Sequence, residues 1–265
     1  MSTFVRKTAV ITGASSGIGA VYADRFAQRG YDLLLVARRG ERLAALAAAL
    51  EAQYQVQAQT LVADLATEDG QATVAQALAG NPTVSALVNN AGLARLAPLA
   101  GGVLQDTTAQ IALNISALAR LTHAVLPGMK ASNEGLIINV SSALALHSLP
   151  ISAVYSGTKA FVLSFSRGLQ QELAATAVRV QVVLPAATAT EVWDRSGVPL
   201  ATLDPDAVMA ADAMVDAALA ALDQGESITL PSVADAALIE GFETARAALF
   251  SSTNTGKVAP RLLPA

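Results

Sequence analysis

Thr8-Ala-Val-Ile-Thr-Gly-Ala-Ser-Ser-Gly-Ile-Gly19 decides the fold. The apolar run at 8–11 reads as a buried strand and stops short of Gly13. Gly13, Gly17 and Gly19 then lead into 18–28, where Ile18, Val21, Tyr22 and Phe26 recur at helical spacing. A purely structural strand-to-helix turn needs one glycine. Three permit a tight turn and the close approach of a ligand to the backbone. The free N–H groups and positive dipole end of the following helix suit a pyrophosphate. The spacing is GxxxGxG rather than the commoner GxGxxG, and its place between strand and helix supports nucleotide binding.

Outward from this unit the pattern repeats. Strand-like runs are predicted at 33–37, 59–63, 86–89, 136–140 and 178–184, with a shorter one at 227–230. Helical patterns separate them at 42–53, 68–78, 105–130 and 153–176. Such alternation predicts one α/β domain over 1–265, a Rossmann-type doubly wound parallel sheet of about seven strands with helices on both faces. The glycine loop, Asp64, Asn90, Ser142 and Pro185 each follow a predicted strand, so they should converge on one sheet edge, where such folds bind ligands. The tail at 251–265 reads as weakly structured.

Composition narrows the function. Of 265 residues, 53% are hydrophobic and 14% charged, so much of the chain must be buried, in parallel strands or between subunits. A net charge of −4 without any basic block argues against nucleic acid and anionic membranes. No cysteine is present, which removes disulfides, thiol nucleophiles and thiolate metal sites. No His/Asp/Glu cluster has ligand spacing, so no metal is expected. The N-terminal stretch lacks a signal-peptide pattern and no long apolar run occurs, so a cytoplasmic location is expected.

Tyr155 and Lys159 in VYSGTKAF stand at i and i+4, one above the other on a helix face. An ammonium beside a phenol favours the phenolate, which makes Tyr a usable acid/base. Alone, the pair fits equally a buried Tyr beside a surface Lys. With the glycine loop, Ala63-Asp64-Leu65, Asn89-Asn90-Ala91-Gly92, Asn114 and Ser141-Ser142, it makes an ordered set. In these motifs the chain resembles the short-chain dehydrogenase/reductase family from about Lys7 to Val192, and within it the bacterial ketone reductases and alcohol dehydrogenases.

The resemblance implies the roles. Ser142 would hydrogen-bond the substrate oxygen, with Ser141 the neighbouring candidate. Tyr155 would exchange a proton with that oxygen, Lys159 would hold the nicotinamide ribose and lower the Tyr pKa, and Asn114 would hold a relay water. The cofactor would be held by Gly13, Ser15, Ser16, Gly17, Ile18 and Gly19, and by Arg38, Arg39, Asp64 and Leu65. Asp64 would contact the adenine amino group, and Asn90, Ala91, Gly92, Tyr155, Lys159, Pro185, Thr188 and Thr190 would complete the cofactor site. One departure is Ala186, where the family usually has Gly after Pro185. No acid precedes Arg38 at the end of the second strand, so NADP(H) is expected over NAD(H).

The segment 191–208 is expected to be the substrate lid, its Trp193 packing on substrate or anchoring the lid. His147 is a further candidate for substrate contact, and Asp64 also reads as a helix N-cap. The partner is expected to be a small ketone or secondary alcohol. The alternatives are a 3-oxoacyl or steroid substrate, or a non-catalytic NADPH-binding regulatory protein. A homotetramer, otherwise a homodimer, is implied, paired through the two long helices.

Overall fold

The computed structural model describes residues 6–263. Its strands are β1 (Thr8–Thr12), β2 (Asp32–Ala37), β3 (Ala58–Val62), β4 (Val84–Asn89), β5 (Gly135–Val140), β6 (Val178–Val183) and β7 (Ile228–Thr229). They form one parallel sheet in the order β3-β2-β1-β4-β5-β6-β7. The chain runs outward from β1 to β3, returns beside β1, and runs outward the other way. The reversal between β1 and β4 opens the crevice in which such sheets bind ligands.

Among the described residues, eight α-helices flank or follow the strands: α1 (Gly17–Gln28), α2 (Gly40–Tyr54), α3 (Glu68–Leu78), α4 (Leu104–Ile111), α5 (Leu118–Ser132), α6 (Ala153–Glu172), α7 (Ala211–Asp223) and α8 (Ala236–Ser252). The two-residue period of β1 serves both faces. Ala9 and Ile11 pack with Tyr22 and Phe26 of α1, Leu43 of α2 and Leu219 of α7. Val10 packs on the other side with Val74 of α3, Leu121 and Val125 of α5 and Leu169 of α6. Residues buried on both faces explain the continuous apolar strands and the high hydrophobic content. Each fully buried Leu, Ile or Phe contributes roughly 1.5–3 kcal/mol, so a charge at Ile11 or Leu87 would break the sheet.

Two expectations are corrected. The single helix predicted at 105–130 is α4, a π-helical stretch at Ala112–Ala117, and α5. The tail is not uniformly irregular: α8 reaches Ser252 and a 3-10 turn forms at Pro260–Leu262, while the last two residues of the tail lie outside the described residues. The described chain divides into two compact units, one running to Pro231 with the whole sheet, the other starting at Ser232 with α8. The domain expected over 1–265 spans both. Among the described residues, no helix is long and apolar enough to cross a membrane.

Candidate active site

The end of β1 is stitched to the end of β4. The Thr12 hydroxyl donates to the Val88 carbonyl at 3.1 Å and accepts from the N–H groups of Asn90 and Ala91, both at 3.0 Å. The Asn90 side-chain amide donates to the Thr12 carbonyl at 2.9 Å. Gly13 turns the chain with φ +67°, which L side chains rarely adopt. At Gly19 a Cβ would stand 2.3 Å from the Gly13 carbonyl oxygen, so only glycine lets α1 begin this close to the strand end.

The result is a cleft of ≈ 750 Å³, within the range of small-molecule sites. Every cofactor residue predicted from Gly13 to Gly92 lines it except Gly19, and Thr190 lines it too. Pro185 and Thr188 are buried in the loop behind it. The Pro185 carbonyl accepts from the Ala143 N–H at 2.8 Å.

Ser142 and Tyr155 face each other across the loop after β5, close enough for the Ser142 hydroxyl to favour the phenolate of Tyr155. Ser142 also accepts from the Leu144 N–H at 3.1 Å. Ser141 points the other way and donates to the Lys159 carbonyl at 2.8 Å. That separates the two serines: one ties the loop to α6, the other faces the tyrosine. The Lys159 ammonium is 5.7 Å from the Tyr155 ring centroid and donates to the Val140 carbonyl at 2.9 Å.

Desolvation sets the titration of both groups. It lowers Lys159 from 10.5 to about 8, and it raises the Tyr155 phenol, with the Ser142 hydrogen bond pulling the other way. The expected depression of Tyr155 by Lys159 is therefore not what this arrangement produces. Burial is the larger of the two influences on the phenol, Ser142 the smaller, and the lysine itself is pushed toward neutrality.

Asn114 sits in the π-helical stretch and is 2% exposed. Its side-chain amide donates to the Leu93 carbonyl at 2.9 Å and the Thr158 hydroxyl at 3.0 Å, and its oxygen accepts from the Leu93 N–H at 2.8 Å. Both donors are committed, so any water would have to use the Asn114 backbone or its spare lone pair. Asn114, Ser142, Tyr155 and Lys159 do not themselves line the cleft; a Cβ at Gly92, which does, would stand 3.6 Å from both Asn114 Oδ1 and Lys159 Nζ, so these two groups lie just behind its wall.

The charges at the cleft mouth were only partly foreseen. Arg39 donates to the Ser15 hydroxyl at 3.1 and 3.0 Å, to Ser16 at 2.6 Å and to Glu191 at 2.5 Å. Arg42 donates to the other Glu191 oxygen at 2.6 Å. These bonds hold the Glu191 carboxyl down at about 2. Arg38 pairs loosely with Asp64 at 3.8 Å. Asp64 is not a helix N-cap: it accepts from the Ala66 N–H at 3.0 Å, and Thr67 caps α3 by accepting from Gly70. Nothing in the sequence spacing pairs Glu191 with residues about 150 positions upstream, so Glu191 and Arg42 were missed.

The segment 191–208 is fixed at its base. Thr188 bridges to Met209, and Leu96 N–H donates to the Ser196 carbonyl at 2.6 Å. Trp193 donates its indole N–H to the Thr188 carbonyl at 2.8 Å, an anchoring contact within the loop. Ala186 lies outside the left-handed region, so its side chain strains nothing. His147 is exposed. Among the described residues, no group of His, Asp and Glu could hold a metal ion.

A family model described as short chain dehydrogenase matches residues 7–198. The chain belongs to that family. A short-chain dehydrogenase from Sphingobium yanoikuyae, solved in complex with NADPH, is 42% identical with a TM-score of 0.93, over 97% of this chain and 100% of that one. The bulky-bulky ketone specific alcohol dehydrogenase from Comamonas testosteroni is 36% identical with a TM-score of 0.89, over 98% of this chain and 100% of that one. Very-long-chain 3-oxoacyl-CoA reductase-A from Danio rerio is 38% identical over 72% of this chain and 61% of its own length. The chain thus spans about three fifths of that relative. The family and the Rossmann-type fold read from the motifs hold for this chain.

Proposed function

We propose that the protein transfers hydride between NADP(H) and a ketone or its secondary alcohol, with Tyr155 as the acid/base. Ser142, Tyr155 and Lys159 gathered behind the Gly92 wall of a cleft that Arg38, Arg39 and Arg42 also line carry this reading. The cradle fits the group: Ser15, Ser16, Gly17 and Ile18 line the cleft at the start of α1, where free N–H groups suit a pyrophosphate, and Arg38, Arg39 and Arg42 suit a 2′-phosphate.

When bound, the nicotinamide supplies or accepts the hydride. The chain's own residues then manage the oxygen. Charge builds on a carbonyl oxygen as its carbon is reduced, and two hydroxyl donors aimed there stabilise it. Ser142 holds that oxygen and Tyr155 gives it a proton. The phenol, raised by burial, holds the proton that ketone reduction delivers to the oxygen. Lys159, at about 8, keeps a positive charge next to the developing anion below that pH.

The ketone-specific relative aligns over nearly all of both chains, which favours a bulky ketone. The 3-oxoacyl-CoA relatives support a second reading, a 3-oxoacyl thioester. Loss of NADPH absorbance with a panel of bulky ketones against 3-oxoacyl thioesters separates the two. Tyr155→Phe should lower turnover by roughly 10² or more while NADPH binding is retained. Near-normal turnover of the variant would sink the assignment, and no turnover of any panel member by the parent would favour a binding role.

A further inference from the structure

Glu191 stands where an incoming anion would be held. Its two oxygens engage Arg39 at 2.5 Å and Arg42 at 2.6 Å, and the same Arg39 gathers the Ser15 and Ser16 hydroxyls of the glycine loop. All five residues line the cleft. Two guanidinium groups converging with two hydroxyls make an anion-binding constellation, and here a carboxylate from the start of the 191–208 segment fills it.

We propose that Glu191 and the cofactor's 2′-phosphate compete for the Arg39–Arg42 pair, so that Glu191 sets the affinity for NADP(H) and links its binding to the position of the lid. The inference rests on the NADP(H) reading above. A phosphate monoester carries about −1.5 to −2 charge against −1 for a carboxylate, and it offers three acceptor oxygens, so it wins the exchange. A ligand without that phosphate gains nothing by displacing Glu191. A carboxylate left beside the phosphate would be repelled, so Glu191 must turn away.

The lid cannot ignore this. Trp193 lies two residues on, with its N–H donating to the Thr190 carbonyl at 3.4 Å and its indole to Thr188 at 2.8 Å. It is the chain's one tryptophan, so its emission reports on this segment alone. Glu191 is a positioning residue on this view: it touches neither substrate nor reacting atoms.

The test uses adenosine 2′,5′-bisphosphate and 5′-AMP, with calorimetry for affinity and Trp193 emission for the lid. Glu191→Gln should bind the bisphosphate about ten-fold tighter than the parent protein, from loss of two exposed ion pairs and a like-charge repulsion, and 5′-AMP equally. The parent's emission should change with the bisphosphate and not with 5′-AMP, and Glu191→Gln should show the changed emission without ligand. Glu191→Asp, which keeps the charge, should stay closer to the parent. Equal bisphosphate affinity in the parent and Glu191→Gln, with unmoved emission, would overturn the competition and leave the phosphate site standing. Failure of both to bind the bisphosphate would remove the phosphate site and this inference together.

Discussion

Replacing Lys159 with Met should change how stability depends on pH, by an amount the burial of the ammonium fixes. Lys159 is 6% exposed, and desolvation lowers it from 10.5 to about 8. Below about pH 8 both folded and unfolded chains hold the proton, and the folded state carries the desolvation penalty, about 3 kcal/mol at about 1.36 kcal/mol per unit. Between about 8 and 10.5 the unfolded chain binds a proton that the folded chain has released. Stability therefore rises with pH across that window. From pH 7 to 9.5 the gain is about 2 kcal/mol for the parent protein, and the methionine variant has no such contribution. Loss of the Val140 hydrogen bond offsets the variant's curve by about 1 kcal/mol without changing its slope. Tyr22 and Tyr155, both raised by burial, act in the opposite sense only above pH 10, and both proteins contain them. Urea unfolding followed by circular dichroism at fixed protein concentration, at four values between pH 7 and 9.5, gives the difference directly. Parallel curves for the two proteins would show that Lys159 is not held in a desolvated site.

Other expectations follow from single contacts. The Tyr22 hydroxyl is fully buried and without a hydrogen-bond partner, so Tyr22→Phe should raise stability by about 1 kcal/mol in thermal unfolding; a loss would mean that the hydroxyl is satisfied. Ala37→Asp with Arg38→Gln should move a preference of order 10² for NADPH toward NADH, read as kcat/KM with each cofactor, and an unchanged ratio would place discrimination elsewhere. Leu104 and Ile111 of α4, 71% and 42% exposed, suit burial against a second copy, so light scattering at micromolar concentration should give a dimer or tetramer; a monomer mass would refute this.

The strands were legible because burial on both faces leaves β-branched and leucine runs, as at 33–37 in β2 and 136–138 in β5. The inner half of the site was legible for another reason. Gly19, Asn90, Ser142, Tyr155 and Lys159 are tied to strand ends or to one helix turn, so local order in sequence becomes proximity in space. α7 and α8 were missed; Met214, Val215, Ala218, Leu219 and Leu222 do recur at helical spacing in α7, whereas α8 has only its Asp235 cap and no buried stripe to mark it. The outer half of the site was missed where partners are far apart in the chain. Arg42 and Glu191 are brought together only by the return of the lid over α2, and no spacing rule announces that. The Tyr155 titration was misjudged because a Tyr–Lys spacing reveals the neighbour but not the dielectric around it.

The π-helical stretch at Ala112–Ala117 acts as a phase shifter in a helix that is otherwise continuous. An α-helix advances about 100° per residue, and one extra residue in a turn rotates everything on its far side by about that angle. Downstream, Leu118, Leu121 and Val125 keep their stripe against the sheet. Upstream, Leu104 and Ile111 are turned outward, while Asn114 in the widened turn is directed inward to Leu93 and Thr158. One helix thereby answers three surfaces that a uniform 3.6-residue repeat could not reach together. Removing a single residue from this stretch would restore the repeat, and it would cost the chain either its outward apolar strip or its inward asparagine.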